Sequence, residues 1–275
     1  MDCRRADISR PAMPLRETEA IVLRTYRLGE ADKIVSLFSR QFGRLRAVAA
    51  GAQRPKSRYG GILEPLTYIR LWLFERENRD LLRINSAELL ESFFAMQQDY
   101  AVQLAAQYMA EVSERLLPER EVNERAFRLL LTVLRGLKTS GSIDKPLLYF
   151  NYWILRLGGF LPDFQHCAHC GRDLGGETAY YGGESLRVVC SNCRSSSSNR
   201  RLSPAIIALT EKIRRLPFDR WASNRSMPNE SVELGQAAEP DASETIREAR
   251  LILEDWVEII ADKKLITREL MANEM

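Results

Sequence analysis

The sequence predicts an α+β protein in two parts: a small closed β-barrel at the N-terminus, then a helical domain carrying an inserted four-cysteine module. Three observations point there. Short runs of two-residue alternation fill residues 17–90, the apolar period lengthens to three and four residues after Leu89, and every cysteine except Cys3 falls in two tight pairs between 164 and 194. A chain of 275 residues with 45% hydrophobic residues has enough apolar material for two modest cores.

Residues 1–13 are polar, with no apolar stretch resembling an export signal, and are expected to be a disordered tail or an over-called start. No apolar run approaches membrane-spanning length, so the expected location is the cytoplasm. Glu17 to Thr25 reads as a first strand, with Ala20 and Val22 on one face and Ile21 and Leu23 on the other. Lys33 to Ser39 and Arg44 to Gly51 follow, joined by a hairpin turn at Gln41-Phe42-Gly43. Leu66 to Glu75 alternates most clearly, and Arg79 to Ala87 completes the set. Five short strands suit a closed barrel better than an open sheet, because closure removes exposed edges. The barrel is expected over 14–90.

The helical domain is expected over 91–275. Ala101 to Leu116 and Val122 to Leu137 each carry an amphipathic stripe, stopped at Pro118 and near Ser140-Gly141. Lys145 to Leu157 is apolar nearly all round, which predicts a buried central helix. Ser203-Pro204 opens another helix, with serine as cap and proline in the first turn. Residues 218–242 are rich in Ser, Asn, Pro and Glu and read as a flexible loop, after which Ser243 caps a last helix.

Cys167-Ala-His-Cys170 and Cys190-Ser-Asn-Cys193 form a C-x2-C-x19-C-x2-C pattern within a module spanning 164–194. A two-residue gap turns both sulfurs of a pair toward one point, and two such pairs supply the four thiolates that tetrahedral zinc prefers. The Tyr180 to Val189 stretch is the hairpin that returns the second pair. Four protein ligands leave no open position, so one structural zinc per chain is expected. Disulfides are disfavoured in a reducing cytosol, and His166 or His169 would be needed as a ligand only if a thiolate were missing. A zinc tetrathiolate carries a net charge of about −2. The formal +3 of the chain therefore understates how basic the rest is.

The two histidines both lie inside the cysteine motif, so no Ser-His or Cys-His nucleophile is available elsewhere. HExxH, GxSxG and GxGxxG are absent, and the glycine-rich stretch Gly136 to Ser142 reads as a helix end rather than a phosphate loop. Glu75 and Glu77 sit among charged neighbours and read as solvated. No catalytic residues are assigned, and the chain reads as a non-enzyme.

The charge distribution points to a polyanion instead. Arg40 to Arg58 holds six bases and no acid. Phosphate contacts need such cations, and the candidates are Arg24, Arg27, Lys33, Arg40, Arg44, Arg46, Arg54, Lys56 and Arg58. Glycines at both ends of 51–61 are expected to let that loop adapt to a nucleic-acid backbone. Tyr68, Arg70, Trp72 and Phe74 share a strand face that would suit base stacking, although packing against the helical body is the preferred reading.

Several phrases together resemble the bacterial RecO recombination-mediator family. They are Glu19-Ala-Ile-Val-Leu-Arg24, Glu30-Ala-Asp-Lys-Ile-Val35, Phe42-Gly43, Arg54-Pro-Lys-Ser-Arg58 with Leu63-Glu-Pro-Leu66, and Leu155-Arg-Leu-Gly-Gly-Phe-Leu-Pro162 running into the first cysteine pair. The resemblance covers roughly 14–270 in order. It implies an N-terminal OB-fold, binding of single- and double-stranded DNA, and annealing of complementary strands. It also implies recombinase loading with RecR onto DNA coated by single-strand-binding protein. A docking site for that protein's acidic, apolar tail is expected on the surface of residues 100–160, where Arg125, Arg128, Arg135 and Arg156 lie beside apolar stripes. The competing readings are a zinc-ribbon adaptor that binds only proteins, and an RNA-binding OB protein.

Overall fold

The computed structural model describes residues 15–74, 81–182, 186–196, 200–223 and 242–274. The expected N-terminal tail, Glu75 and Glu77 lie outside these. Among the described residues no helix is long and apolar enough to cross a membrane.

β1 (Leu15–Leu28) shifts register between Val22 and Arg24, which bends it. Its first half pairs with β4 (Thr67–Phe74) and its second with β2 (Asp32–Ser39). β3 (Gly43–Ala49) continues from β2 as a hairpin. β5 (Leu82–Ser92) closes the cylinder, parallel to β3 and antiparallel to β4. The resulting order β1-β2-β3-β5-β4 is a closed five-stranded barrel of the OB type. β1 is longer than its alternation predicts, and β5 runs on to Ser92 instead of ending at Ala87.

Alternation sends the two faces of β1 to two different cores. Ala20 and Val22 point into the barrel with Val35, Leu37, Ile69 and Leu71, and Tyr59 and Leu63 from the β3–β4 connection close its end. Ile21 and Leu23 point outward and join Phe38 and Tyr68 in a larger core shared with the helices. The barrel is therefore seated on the helical body by apolar burial, the main driving force for such docking.

α1 (Tyr100–Leu116) and α2 (Glu124–Leu137) begin at Asp99 and Asn123, whose side chains accept from Val102 N and Ala126 N at 3.2 and 3.0 Å. α3 (Asp144–Leu157) is the expected central helix: from Pro146 to Leu155 only Trp153 escapes full burial. α4 (Pro204–Arg215) starts at the Ser203 cap. α6 (Ala242–Ala261) packs along α3, and buried Arg250 reaches Asp144 at 2.8 Å and Glu254 at 2.7 Å.

Three expectations are corrected here. Residues 218–222 are not loop but a short helix, α5 (Phe218–Ala222), because Phe218 and Trp221 are buried against Tyr149. The Phe218 ring also lies on Gly136, where a Cβ would come within 1.9 Å of it, so glycine is required there. Residues 224–241 of that expected loop lie outside the described residues. Ser243 sits inside the first turn of α6 rather than before it. A further helix, α7 (Ile266–Glu274), follows α6. Its first turn is capped from another helix: Glu111 of α1 accepts from Thr267 N at 3.1 Å and Thr267 Oγ1 at 2.7 Å.

Candidate nucleic-acid interface and metal centre

The cysteine module is built on a three-stranded sheet of β6 (Ala179–Tyr181), β7 (Val188–Val189) and β8 (Arg200–Leu202), in the order β7-β6-β8. β6 and β7 are the expected hairpin, pairing Tyr180 with Val189 and Tyr181 with Val188. Tyr181 and Phe164 pack on the Trp256 ring of α6 at 5.4 and 5.6 Å, which anchors the module to the body.

Sγ atoms of Cys167, Cys170, Cys190 and Cys193 all lie within 4.8 Å of one another. The Cys170–Cys190 separation is 3.8 Å. That is far beyond a disulfide bond and equals the edge of a tetrahedron with metal–sulfur distances of about 2.3 Å, which is about 3.8 Å. Gly171, at φ 75°, makes the reverse turn after the first pair, and its N–H donates to Cys167 O at 2.8 Å. Four cysteines are thus held where they can bind one metal ion. His166 is not among them: its Nδ1 lies 2.9 Å from Asp163 Oδ2 on the surface.

The backbone prepares this cluster for a cation. Burial opposes ionisation of Cys167, but N–H groups of Cys170, Cys190 and His169 outweigh it and bring the pKa down to about 6. Cys193 is pushed up to about 12 by burial and by the neighbouring sulfurs, Cys167 included. A bound divalent cation removes that mutual repulsion.

The nine candidate phosphate contacts divide by what they touch. Four are committed to the helical body or its approaches. Arg24 lies 3.5 Å from Glu114 of α1. Arg40 bridges Glu19 at 3.2 Å and Glu124 of α2 at 2.7 Å, and it holds the Glu124 carboxyl below the usual range. Arg44 Nε donates to Leu117 O at 3.0 Å and its Nη1 sits 3.1 Å from Glu119, while Arg46 is 3.5 Å from the same carboxylate. Glycine at the tip of this hairpin is obligatory, since a Cβ on Gly43 would fall 2.0 Å from Glu121 O.

The other five gather at one end of the barrel. Arg27 and Lys33 pair across the β1–β2 ribbon. The segment carrying Arg54, Lys56 and Arg58 is stitched to the same turn, with Gly51 N donating to Asp32 Oδ1 at 2.8 Å and Gln53 N to Ala31 O at 2.9 Å. Lys33 is paired with Glu64 at 3.0 Å, and Arg58 lies on the Tyr59 ring and donates to its hydroxyl at 2.8 Å. Arg27, Arg54 and Lys56 are exposed and have no carboxylate partner among the described residues. The 51–61 segment is therefore pinned rather than free to adapt, because Tyr59 is buried and bonds Ile84 O at 3.1 Å.

The face of Tyr68, Arg70, Trp72 and Phe74, for which packing against the helical body is the preferred expectation, does not act as a unit. Tyr68 packs on Phe127 of α2 and donates to Glu19 at 2.8 Å, and burial with that bond pushes its pKa up to about 12. Arg70 is drawn to Glu17 and Glu88, at 3.5 and 3.6 Å. The four arginines expected at a partner groove are not brought to one cleft. Arg135 turns to the barrel, 2.8 Å from Glu91. Arg156 lies over Trp153 and lines a cleft of about 430 Å³ with Tyr152, Phe164 and Arg214, whereas Arg125 and Arg128 are exposed on α2. Sequence reasoning missed the arginines of the cysteine module itself, of which Arg194 directly follows Cys193.

Two family models match the chain: "Recombination protein O N terminal" over residues 13–93 and "Recombination protein O C terminal" over residues 97–239. Curated relatives described as DNA repair protein RecO are similar over most of their length. The Koribacter versatilis protein is 40% identical over 208 residues, 76% of this chain and 84% of the relative. The Nocardioides sp. protein is 40% identical over 190 residues, 67% and 76% respectively. For the Cutibacterium acnes protein the identity is 37% over 189 residues, 66% and 75% respectively.

Proposed function

The chain belongs to the RecO family of DNA repair proteins, and from that premise we propose that it is a non-catalytic mediator in the cytoplasm that binds single- and double-stranded DNA and anneals complementary strands. The observation that carries this reading is the end of the barrel where Arg27, Lys33, Arg54, Lys56 and Arg58 converge away from the helical body. Two strands repel each other through their phosphates. A cationic surface that holds backbones by charge alone screens that repulsion and leaves base edges free to pair.

Zinc is the ion that fits the four-sulfur site, since a closed set of soft thiolates at tetrahedral spacing is its preferred shell. The ion would fasten the two cysteine pairs together beside α6 and take no part in a reaction. The partners proposed by analogy with the family are RecR, the acidic tail of single-strand-binding protein, and a recombinase reached indirectly. For the tail, the surface of residues 100–160 remains the proposed dock, with Arg156 beside its cleft and Arg125 and Arg128 exposed on α2.

Strand annealing by the purified protein tests the proposal. Complementary oligonucleotides should pair faster with the protein than without it, both bare and coated with single-strand-binding protein. Annealing at the uncatalysed rate in both conditions would reject it.

A further inference from the structure

The small sheet of the cysteine module has two faces of opposite character. Ala179, Tyr181 and Val188 point inward and are buried, Tyr181 on Trp256. On the same side Arg200 is tied to Asp255 at 2.7 Å. The outer face carries half-buried Tyr180, buried Val189 and exposed Arg201, which the strand register places side by side. Arg194 lies over the Tyr180 ring, 4.5 Å from its centroid. Arg187 immediately precedes β7. Arg187, Arg194 and Arg201 are exposed and have no carboxylate partner among the described residues, and the three strands place no acid on the face.

An aromatic ring flanked by guanidinium groups, with no acid beside it among the described residues, matches one occupant. Bases released from pairing stack on rings and on guanidinium planes, while their phosphates meet the remaining arginines. We infer that the outer face of the module, centred on Tyr180, Arg194 and Arg201, is a second contact for single-stranded DNA, separate from the barrel end. This inference rests on the reading of the chain as a DNA-binding protein. It adds a division of labour: the barrel end holds backbones by charge, and the module holds unpaired bases by stacking. A paired base offers no free face, so the module contact discriminates single strands from duplex. A merely structural role for Arg194, as a counter-charge to the adjacent thiolates, predicts no such discrimination.

The test uses the full-length protein and fluorescence anisotropy at one fixed salt concentration, with a thymidine oligonucleotide and a duplex of equal length. Tyr180→Ala should weaken single-strand binding about tenfold and leave duplex binding unchanged, while Tyr180→Trp should restore single-strand binding. Metal content and melting temperature equal to those of the unsubstituted protein confirm that the module is intact. A Tyr180→Ala protein that is intact and binds single strands as before overturns the inference but leaves the proposed function standing. If the unsubstituted protein binds neither DNA, the proposed function falls and the inference with it. Should Tyr180→Ala fail to fold, photocrosslinking of an iodouracil oligonucleotide to the unsubstituted protein decides: an adduct on the peptide containing Tyr180 supports the contact, and adducts confined to the barrel refute it.

Discussion

Arg44 and Arg54 are ten residues apart in the same acid-free run, yet they meet different surroundings. Arg44 has 12% of its side chain exposed and donates to the carbonyl of Leu117, just past the end of α1, and to Glu119, so it helps to hold the barrel on the body. Arg54 is exposed, with no carboxylate partner among the described residues. Arg44→Ala should therefore lower stability by about 1–3 kcal/mol, the usual cost of stranding a partly buried charged hydrogen bond, and leave the salt dependence of DNA binding unchanged. Urea unfolding and anisotropy on the same variant check both halves. The sequence showed the charge run but not this division. Besides Glu19, the acids that claim Arg40 and Arg44 are Glu124 and Glu119, more than seventy positions further on, and only the docking of α1 and α2 brings those two in. The clustering of the four cysteines needed no such knowledge, because their spacing alone sets the turn geometry that joins them.

Among the elements, those with a long, regular period were legible. α1 and α2 start within two residues of their expected positions, as does α3, and the buried character of α3 follows from its apolar surroundings. α5 and α7 were not legible. Each is short, and each depends on a distant residue: Phe218 on the bare backbone of Gly136, and the α7 N-terminus on Glu111. The cysteine module would depend in the same way on a bound metal ion. Its strands have two or three residues each, too few to persist without a staple. Cys170→Ser should therefore lose bound zinc and disorder the module while the barrel remains folded, as metal analysis and amide hydrogen exchange would show. Zinc uptake must displace the protons of four thiols, so uptake by metal-free protein should weaken as pH falls. A chelator competition at neutral and mildly acidic pH measures this, and equal uptake at both would contradict the assignment.

At the scale of the whole molecule, the barrel is fixed to the helices by a shared apolar core and by a row of arginine contacts, so its cationic end is presented by a rigid frame. The central claim is that this end, and not the basic segment as a whole, meets the phosphates. Salt titration of single-strand binding tests that most directly, because the slope of log K against log salt counts the phosphates neutralised. Arg54→Ala, Lys56→Ala and Arg58→Ala together should weaken binding to every sequence alike and flatten the slope by about 2, given roughly 0.7 per phosphate contact on a single strand. A slope equal to that of the unsubstituted protein would place the DNA elsewhere on the molecule.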